Sequence, residues 1–83
     1  MFRVDLAVRP RTGVKDPQAE AVQESLSRLG HDRVTVDAVG RLLSLHIACD
    51  TAAEAEEITT GLCEQLLVNP NLETFSMTVG EMP

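Results

Sequence analysis

The 83-residue sequence has few aromatic side chains, few bases and no long apolar run. It contains two Phe and neither Trp nor Tyr, so it lacks the rings on which nucleic-acid bases stack. Seven Lys and Arg stand against 13 Asp and Glu, and the net charge of −6 argues against a protein that binds phosphate backbones. No apolar stretch approaches the roughly 20 residues that span a bilayer, and the N-terminus alternates charged and apolar residues where a signal peptide would be continuously apolar. We therefore expect a small, acidic, cytoplasmic domain.

Cysteine and histidine are scarce as well, which limits the chemistry that the chain can carry. Cys49 and Cys63 are too few for the disulfide framework of a small secreted domain, and their spacing is not that of a zinc site. We expect both to be reduced thiols that face the core. His31 follows a helix terminator and His46 lies on a strand, and neither is placed to activate a nucleophile. The sequence thus predicts no catalytic residue and no metal site.

Hydrophobic periodicity predicts a strand and then a helix in the first third of the chain. Apolar residues alternate over residues 2–8, which is typical of a half-buried strand. Asp16 and Pro17 indicate a helix over residues 17–29, because Asp caps free amides and Pro suits the first helical position. Gly30 stands where a left-handed residue ends such a helix.

The middle of the chain predicts a β-hairpin. Residues 34–39 and 42–49 are rich in strand-forming residues, and Gly40-Arg41 between them is short enough for a tight turn. In the second of these strands, alternate residues would face the core. They are Leu43, Leu45, Ile47 and Cys49.

The last third predicts a helix and a strand. Thr51 and Glu54 form a capping pattern at the start of the helix, and Asn69-Pro70 closes it. Residues 72–79 alternate apolar and small polar residues and form the last strand. The apolar stripe of the helix comprises Ala55, Ile58, Leu62 and Leu66, widened by Cys63 and Leu67.

The element order β-α-β-β-α-β is that of the ferredoxin-like α+β fold. Right-handed crossovers would place both helices on one face of a four-stranded antiparallel sheet. We expect a single domain over residues 1–80 and a frayed tail over residues 81–83. Because so short a chain buries only about 60–65% of its unfolded surface, its core is marginal, and a second copy or a partner would complete it.

Two charged segments have both a structural and a functional interpretation. The loop of residues 9–15 carries three bases ahead of a helix N-terminus, where an anion could bind, although a few surface bases beside a loop are common. Glu54, Glu56 and Glu57 form an acidic run at the start of the second helix, which is typical of a solvated face that complements the helix dipole. From the residues alone, the chain is a non-catalytic assembly or ligand-sensing module.

Three segments resemble the small PurS subunit of phosphoribosylformylglycinamidine synthase: residues 13–22, 39–41 and 63–75. The most specific parts are the Asp-Pro-Gln helix start and the Leu-Leu-x-Asn-Pro-x-x-Glu end of the second helix. The resemblance covers nearly the whole chain. It implies a part in purine biosynthesis, in the ATP-dependent conversion of formylglycinamide ribonucleotide and glutamine to formylglycinamidine ribonucleotide.

The resemblance also implies a division of labour. Subunits of this family make no bonds themselves but join a large synthetase subunit to a glutaminase subunit and help to couple them, and they form dimers that sometimes pair further. No cofactor is expected in this chain, since ATP and magnesium would bind the large subunit. The partner-contact residues that we expect are Asp16, Pro17, Gly40, Arg41, Asn69, Pro70 and Glu73.

The hairpin departs from the family pattern, which usually has Arg two residues before the Gly and Lys just after it. Here those positions are Ala38 and Arg41, and Asp37 stands where an apolar residue is usual. An alternative function stays open at this point: a free-standing dimeric ferredoxin-like sensor domain that binds an amino acid or nucleotide at its interface.

Overall fold

Strand β1 (Phe2–Pro10) is the centre of a three-stranded antiparallel sheet. β2 (Arg41–Ile47) pairs with one edge of β1 and β3 (Glu73–Glu81) with the other, in the order β2-β1-β3. The helices are α1 (Pro17–Arg28) and α2 (Ala52–Leu62), and α2 runs on into a π-helical turn (Cys63–Leu67). This computed structural model describes all 83 residues and gives the chain an α+β architecture.

The core lies between β1 and α2. The alternation predicted for residues 2–8 is confirmed, because Phe2, Val4, Leu6 and Val8 are all buried. They meet a face of α2 and the π-helical turn that is made of small residues. That face comprises Ala55, Thr59 and Cys63. Only nine of the 83 residues are buried, so the chain alone has a small core.

The predicted stripe of α2 is wrong in part. Ile58 is 39% exposed and Leu66 is 77% exposed, whereas Thr59, which lies outside the predicted stripe, is fully buried. The Thr59 hydroxyl donates to the carbonyl of Ala55 at 2.8 Å, so its burial leaves no polar group unsatisfied. Small side chains let the helix approach the sheet closely and leave the larger apolar residues on its flank.

The predicted helix starts are confirmed by their side-chain caps. Asp16 accepts a hydrogen bond from the amide of Ala19, and Thr51 accepts one from the amide of Glu54. The Glu54 carboxylate reaches back to the amide of Asp50, one residue before the cap. Gly30 follows α1 with a positive φ of 85°, as a helix terminator requires.

The predicted hairpin does not form, and this is the main correction to the fold. Residues 34–39 are not part of any strand, so the sheet has three strands and not four. A two-residue hairpin turn needs a positive φ at one or both of its central residues, and only Gly13 and Gly30 have one. Gly40 instead carries the chain past β1, so close that a Cβ there would collide with the carbonyl oxygen of Val8.

The second correction concerns α1, which was predicted to lie on the sheet. The helix that packs on the sheet is α2. α1 and residues 29–40 instead project from the end of the sheet, and we call them the arm. The Cα radius of gyration is 16.2 Å, against about 12 Å for a compact domain of this length. The Gln23 side chain ties the arm together, since its amide donates to the carbonyl of Val34 and its oxygen accepts from the amide of Val36.

The end of the chain is held to its beginning. β3 continues through Glu81, and the amide of Met82 donates to the carbonyl of Met1 at 3.0 Å. Neither helix has the length and apolar character of a membrane-spanning segment.

Candidate partner-binding site

A groove of about 640 Å³ lies where the base of the arm meets the turn that precedes β3. We call it the junction groove. It gathers six of the seven residues that the sequence predicts as partner contacts. These are Asp16, Pro17, Gly40, Arg41, Asn69 and Glu73. The seventh, Pro70, is adjacent in the same turn. The structure thus brings together three segments that are far apart in the sequence.

Arg41 and Glu73 form the central ion pair of the groove. The guanidinium binds both carboxylate oxygens, with Nη1–Oε2 and Nη2–Oε1 distances of 2.5 and 3.2 Å. Arg41 lies opposite Val8 on β2, and Glu73 lies opposite Pro10 at the start of β3, so the pair bridges the two outer strands across the end of β1. The hydrogen bonds between the two groups, together with their opposite charges, favour both ionised forms, which lowers the pKa of Glu73 and raises that of Arg41.

The same two side chains fix the turn that leads into β3. Arg41 Nη2 also donates to the carbonyl of Leu67 at 2.6 Å, at the end of the π-helical turn. Glu73 Oε1 accepts from the amide of Asn69 at 2.9 Å. Nothing in the local sequence around Arg41 or Glu73 requires these residues. The structure shows why they are present, because each binds the other although they lie 32 positions apart in the sequence. Both therefore have a role in folding, and Arg41 remains 51% exposed at the groove.

Asp16 fixes the base of the arm. One carboxylate oxygen caps α1 through the amide of Ala19, and the other accepts from the amide of Val39 on the returning segment, both at 3.0 Å. These hydrogen bonds stabilise the charged carboxylate and lower its pKa. The sequence predicts the cap but not the bond to Val39.

Arg9 and Asp37 form an ion pair that sequence reasoning missed. Arg9 Nη2 lies 2.6 Å from Asp37 Oδ2, and the Asp37 side chain is 90% exposed. Asp37 thus provides a partner for a base on β1. This pair joins the returning segment of the arm to the sheet beside the junction groove.

The sheet face opposite α2 carries the only other cluster of charged side chains on the strands. Asp5 accepts from the Ser44 hydroxyl at 2.8 Å and from Arg3 Nε at 3.1 Å, and both bonds lower its pKa. His46 lies on the same face, opposite Arg3, and is exposed. Ser44 donates to a carboxylate and not to an imidazole, so the cluster lacks the nucleophile–base contact of a catalytic site.

The other candidate groups are spread over the fold. Cys49 and Cys63 are both free thiols, and burial raises the pKa of Cys63. His31 is exposed after α1, and the Glu run of α2 faces solvent. His, Cys, Asp and Glu side chains do not converge in groups of three that could hold a metal ion.

Comparison with known proteins identifies the family. The sequence profile of PurS, phosphoribosylformylglycinamidine (FGAM) synthase, matches residues 3–81. The chain belongs to the PurS family. It is 32% identical over 73 residues to phosphoribosylformylglycinamidine synthase subunit PurS of Archaeoglobus fulgidus, a match that covers 88% of this chain and 91% of that protein. The function that follows is that of the PurS subunit of FGAM synthase in purine biosynthesis.

Solved structures of the family share the fold. Thermus thermophilus PurS superposes with a TM-score of 0.85 at 30% identity and covers 99% of this chain and 98% of its own. A chain of the PurLQS structure from Thermotoga maritima gives a TM-score of 0.85 at 28% identity, with coverage of 94% and 95%. The second of these neighbours is therefore part of a structure of PurL, PurQ and PurS together.

Proposed function

We propose that this chain is a non-catalytic, cytoplasmic subunit that joins the glutaminase to the ATP-dependent synthetase subunit and helps to couple them. The observation that carries the proposal is that the chain cannot cover its own apolar surface. Only nine residues are buried, and α1 makes no extensive contact with another helix or strand. The likeness to a chain of the PurLQS structure and the two free thiols, typical of a reducing compartment, support it.

The arm carries a helix that could cover the part of the sheet that α2 leaves open. The half of the sheet face over β2 is not covered by α2, and it presents the half-buried side chains of Leu43, Leu45 and Ile47. A helix with one apolar stripe would cover it. α1 has such a stripe, yet Val22 is 44% exposed and Leu29, just past the end of the helix, is 73% exposed.

The segment after α1 likewise lacks a strand partner. β2 is an edge strand with a free outer side, and the backbone groups of Thr35 and Asp37 make no hydrogen bond within the chain. When a hairpin opens, each of its strands can form with a second copy the same backbone hydrogen bonds that the closed hairpin forms within one chain. We therefore propose a homodimer that exchanges arms, in which each half becomes a four-stranded ferredoxin-like layer with two helices.

The junction groove is the surface that we propose for contact with the larger subunits. Its exposed Arg41, its rigid Asn69 turn and the adjacent Pro70 present a fixed polar surface at one end of the sheet. Asp16, Pro17 and Gly40 set the position of the arm beside it. ATP and magnesium would bind the synthetase subunit and no cofactor would bind this chain.

Reconstitution with the glutaminase and synthetase subunits of the same source tests the proposal. Glutamine-dependent synthesis should be absent from each protein alone and appear when all three are mixed. Light scattering should show one complex that contains this chain. Equal synthesis without the chain would refute the coupling role.

The sensor alternative predicts a different result in the same preparation. A free-standing sensor would bind an amino acid or nucleotide without any partner, and a ligand at 100 times its dissociation constant would stabilise the chain by about 2.7 kcal/mol. A thermal-shift screen of the isolated chain measures this directly. A clear shift together with no complex would replace the assembly function by the sensor function.

A further inference from the structure

The bases of this acidic chain are concentrated at one end of the sheet. Four of the seven lie there, on the β1–α1 loop, at the end of β1 and at the start of β2. They are Arg9, Arg11, Lys15 and Arg41. Two of the four are neutralised within the chain, since Arg9 pairs with Asp37 and Arg41 with Glu73. Arg11 and Lys15 belong to none of the three ion pairs of the chain.

Arg11 differs from Lys15 because its side chain is held in place. Its backbone amide donates to the carbonyl of Leu72, and its Nε donates to the carbonyl of Pro70, both at 2.8 Å. These two bonds fix the guanidinium against the turn before β3. Its two terminal NH2 groups make no hydrogen bond within the chain, and the residue is exposed. A fixed planar fork loses little freedom on binding a carboxylate with two hydrogen bonds.

The guanidinium stands between two cavities of different character. On one side, a polar cavity of about 500 Å³ is lined by Arg9 and Arg11 and by two carboxylates that are already engaged within the chain, Asp16 and Asp37. On the other side, a smaller niche of about 230 Å³ has Cys63, Val68 and Phe75 in its wall. Two carboxylates also line it, Glu64 and Glu73, and Glu73 is engaged by Arg41. Phe75 is 38% exposed at this niche, although it lies on the face of β3 that packs toward α2.

We propose that Arg11 anchors an acidic segment of one of the larger subunits, by binding a side-chain carboxylate while a neighbouring apolar side chain of that segment fills the niche. The inference rests on the proposed function and names the chemistry of its partner. Interface anchors are characteristically Arg side chains beside pockets that exclude water. The apolar niche next to the fork favours a protein segment over a free anion, which would leave the niche empty.

The test is the affinity of the chain for the assembled larger subunits, measured at 50 and 300 mM NaCl. Arg11→Gln should weaken binding at low salt by about tenfold or more, which is typical of a lost anchor. Arg11→Lys should recover only part of the affinity, because an ammonium cannot bind a carboxylate in the same two-bonded geometry. Arg33→Gln is the matched control, since Arg33 is exposed and unpaired, and its affinity should stay within about twofold.

A second variant separates electrostatics from loss of the Pro70 contact. Thr12→Glu leaves Arg11 and its bonds in place but adds a negative charge beside it, and it should also weaken binding, most strongly at low salt. Wild-type affinity that does not change with salt, or Arg11→Gln and Thr12→Glu variants that bind like the wild type, would overturn the proposal while the assembly function stood.

Two further outcomes would also overturn it. If the wild-type chain binds neither larger subunit, the assembly function fails together with this proposal. If inorganic phosphate or citrate stabilises the isolated chain in a manner that requires Arg11, the site is one for a free anion.

Discussion

Asp16 shows how one side chain can decide the position of a whole segment. Its two carboxylate oxygens bind the first turn of α1 and the segment that returns from it, so the arm leaves the sheet at a fixed angle. An Asn or Ser would also cap the helix, but only a group with two acceptors reaches both amides at once.

Replacing Asp16 by Ala should loosen the base of the arm. We expect a lower melting temperature and faster hydrogen exchange at Ala19 and Val39, the two amides that the carboxylate accepts from. Asp32→Ala is the control, because Asp32 is an exposed turn residue without a side-chain hydrogen bond. Unchanged exchange at Val39 would show that the arm is held by other contacts.

Acid should destabilise the chain through the carboxylates of the groove. The ordinary pKa values of Asp16 and Glu73 are 3.8 and 4.5, and both are lowered in the folded chain. A lowered folded pKa gives stability that is complete above the ordinary value and is lost as the pH falls through the folded one. The urea concentration at the midpoint of unfolding should therefore be constant near pH 6 and should decrease at pH values below about 4.5.

Glu73→Gln should reduce this dependence on pH. The variant should be less stable than the wild type near pH 6, because Arg41 loses its ion pair, and the difference should narrow toward pH 3. Glu57→Gln, an exposed side chain of α2 outside any ion pair, controls for the change in net charge. A constant difference between Glu73→Gln and wild type at every pH would contradict the assignment.

At the scale of the elements, Gly40 is required by a close approach and not by a turn. The chain passes β1 so closely there that any side chain would meet the carbonyl of Val8. Gly61 in α2 is the opposite case, since nothing lies within 4 Å of where its Cβ would be.

Gly40→Ala and Gly61→Ala should consequently have effects of opposite sign. The first should destabilise the chain by about 1–3 kcal/mol, because the backbone of β1 or β2 must move. The second should stabilise it by up to about 1 kcal/mol, because Ala favours a helix over Gly. Denaturant unfolding measures both, and a neutral Gly40→Ala would mean that residue 40 can move away from Val8.

The elements also show how far local sequence determines structure. The alternation of β1, the caps at Asp16 and Thr51 and the terminator Gly30 depend on near neighbours, so they could be predicted. The hairpin at Gly40 could not, because a closed hairpin and an opened one satisfy the same local preferences and differ only in which chain supplies the partner strand.

The candidate site was predictable only as a set of residues. The resemblance in sequence marks Arg41 and Glu73, but the bond between them depends on strand order, and it joins β2 to β3 across a strand that lies much earlier in the chain. Arg11 was visible only as one base of a loop. Its bond to Pro70, 59 residues away, cannot be read from local patterns.

At the scale of the whole molecule, the extended shape leaves apolar side chains of α1 and of the sheet face over β2 exposed or half-buried. Val22→Asp, on the stripe of α1, should therefore weaken the proposed dimer, because it places a charge where the arm would meet the second copy. Light scattering should show about 18 kDa for the wild type, twice the 9.0 kDa of one chain, and a lower mass for the variant at the same concentration.

Ala21→Asp provides the matched control, since it adds the same charge to the same helix away from the stripe, and its mass should equal that of the wild type. A wild-type mass of 9.0 kDa at all concentrations would refute the exchange of arms.

The bond between Met82 and Met1 places both termini at one end of the sheet. Phe2 lies opposite Glu81 there, whereas Pro10 lies opposite Glu73 at the groove, eight residues along β1 and roughly 27 Å away. An affinity tag or a fluorophore attached to either terminus will therefore sit far from the junction groove.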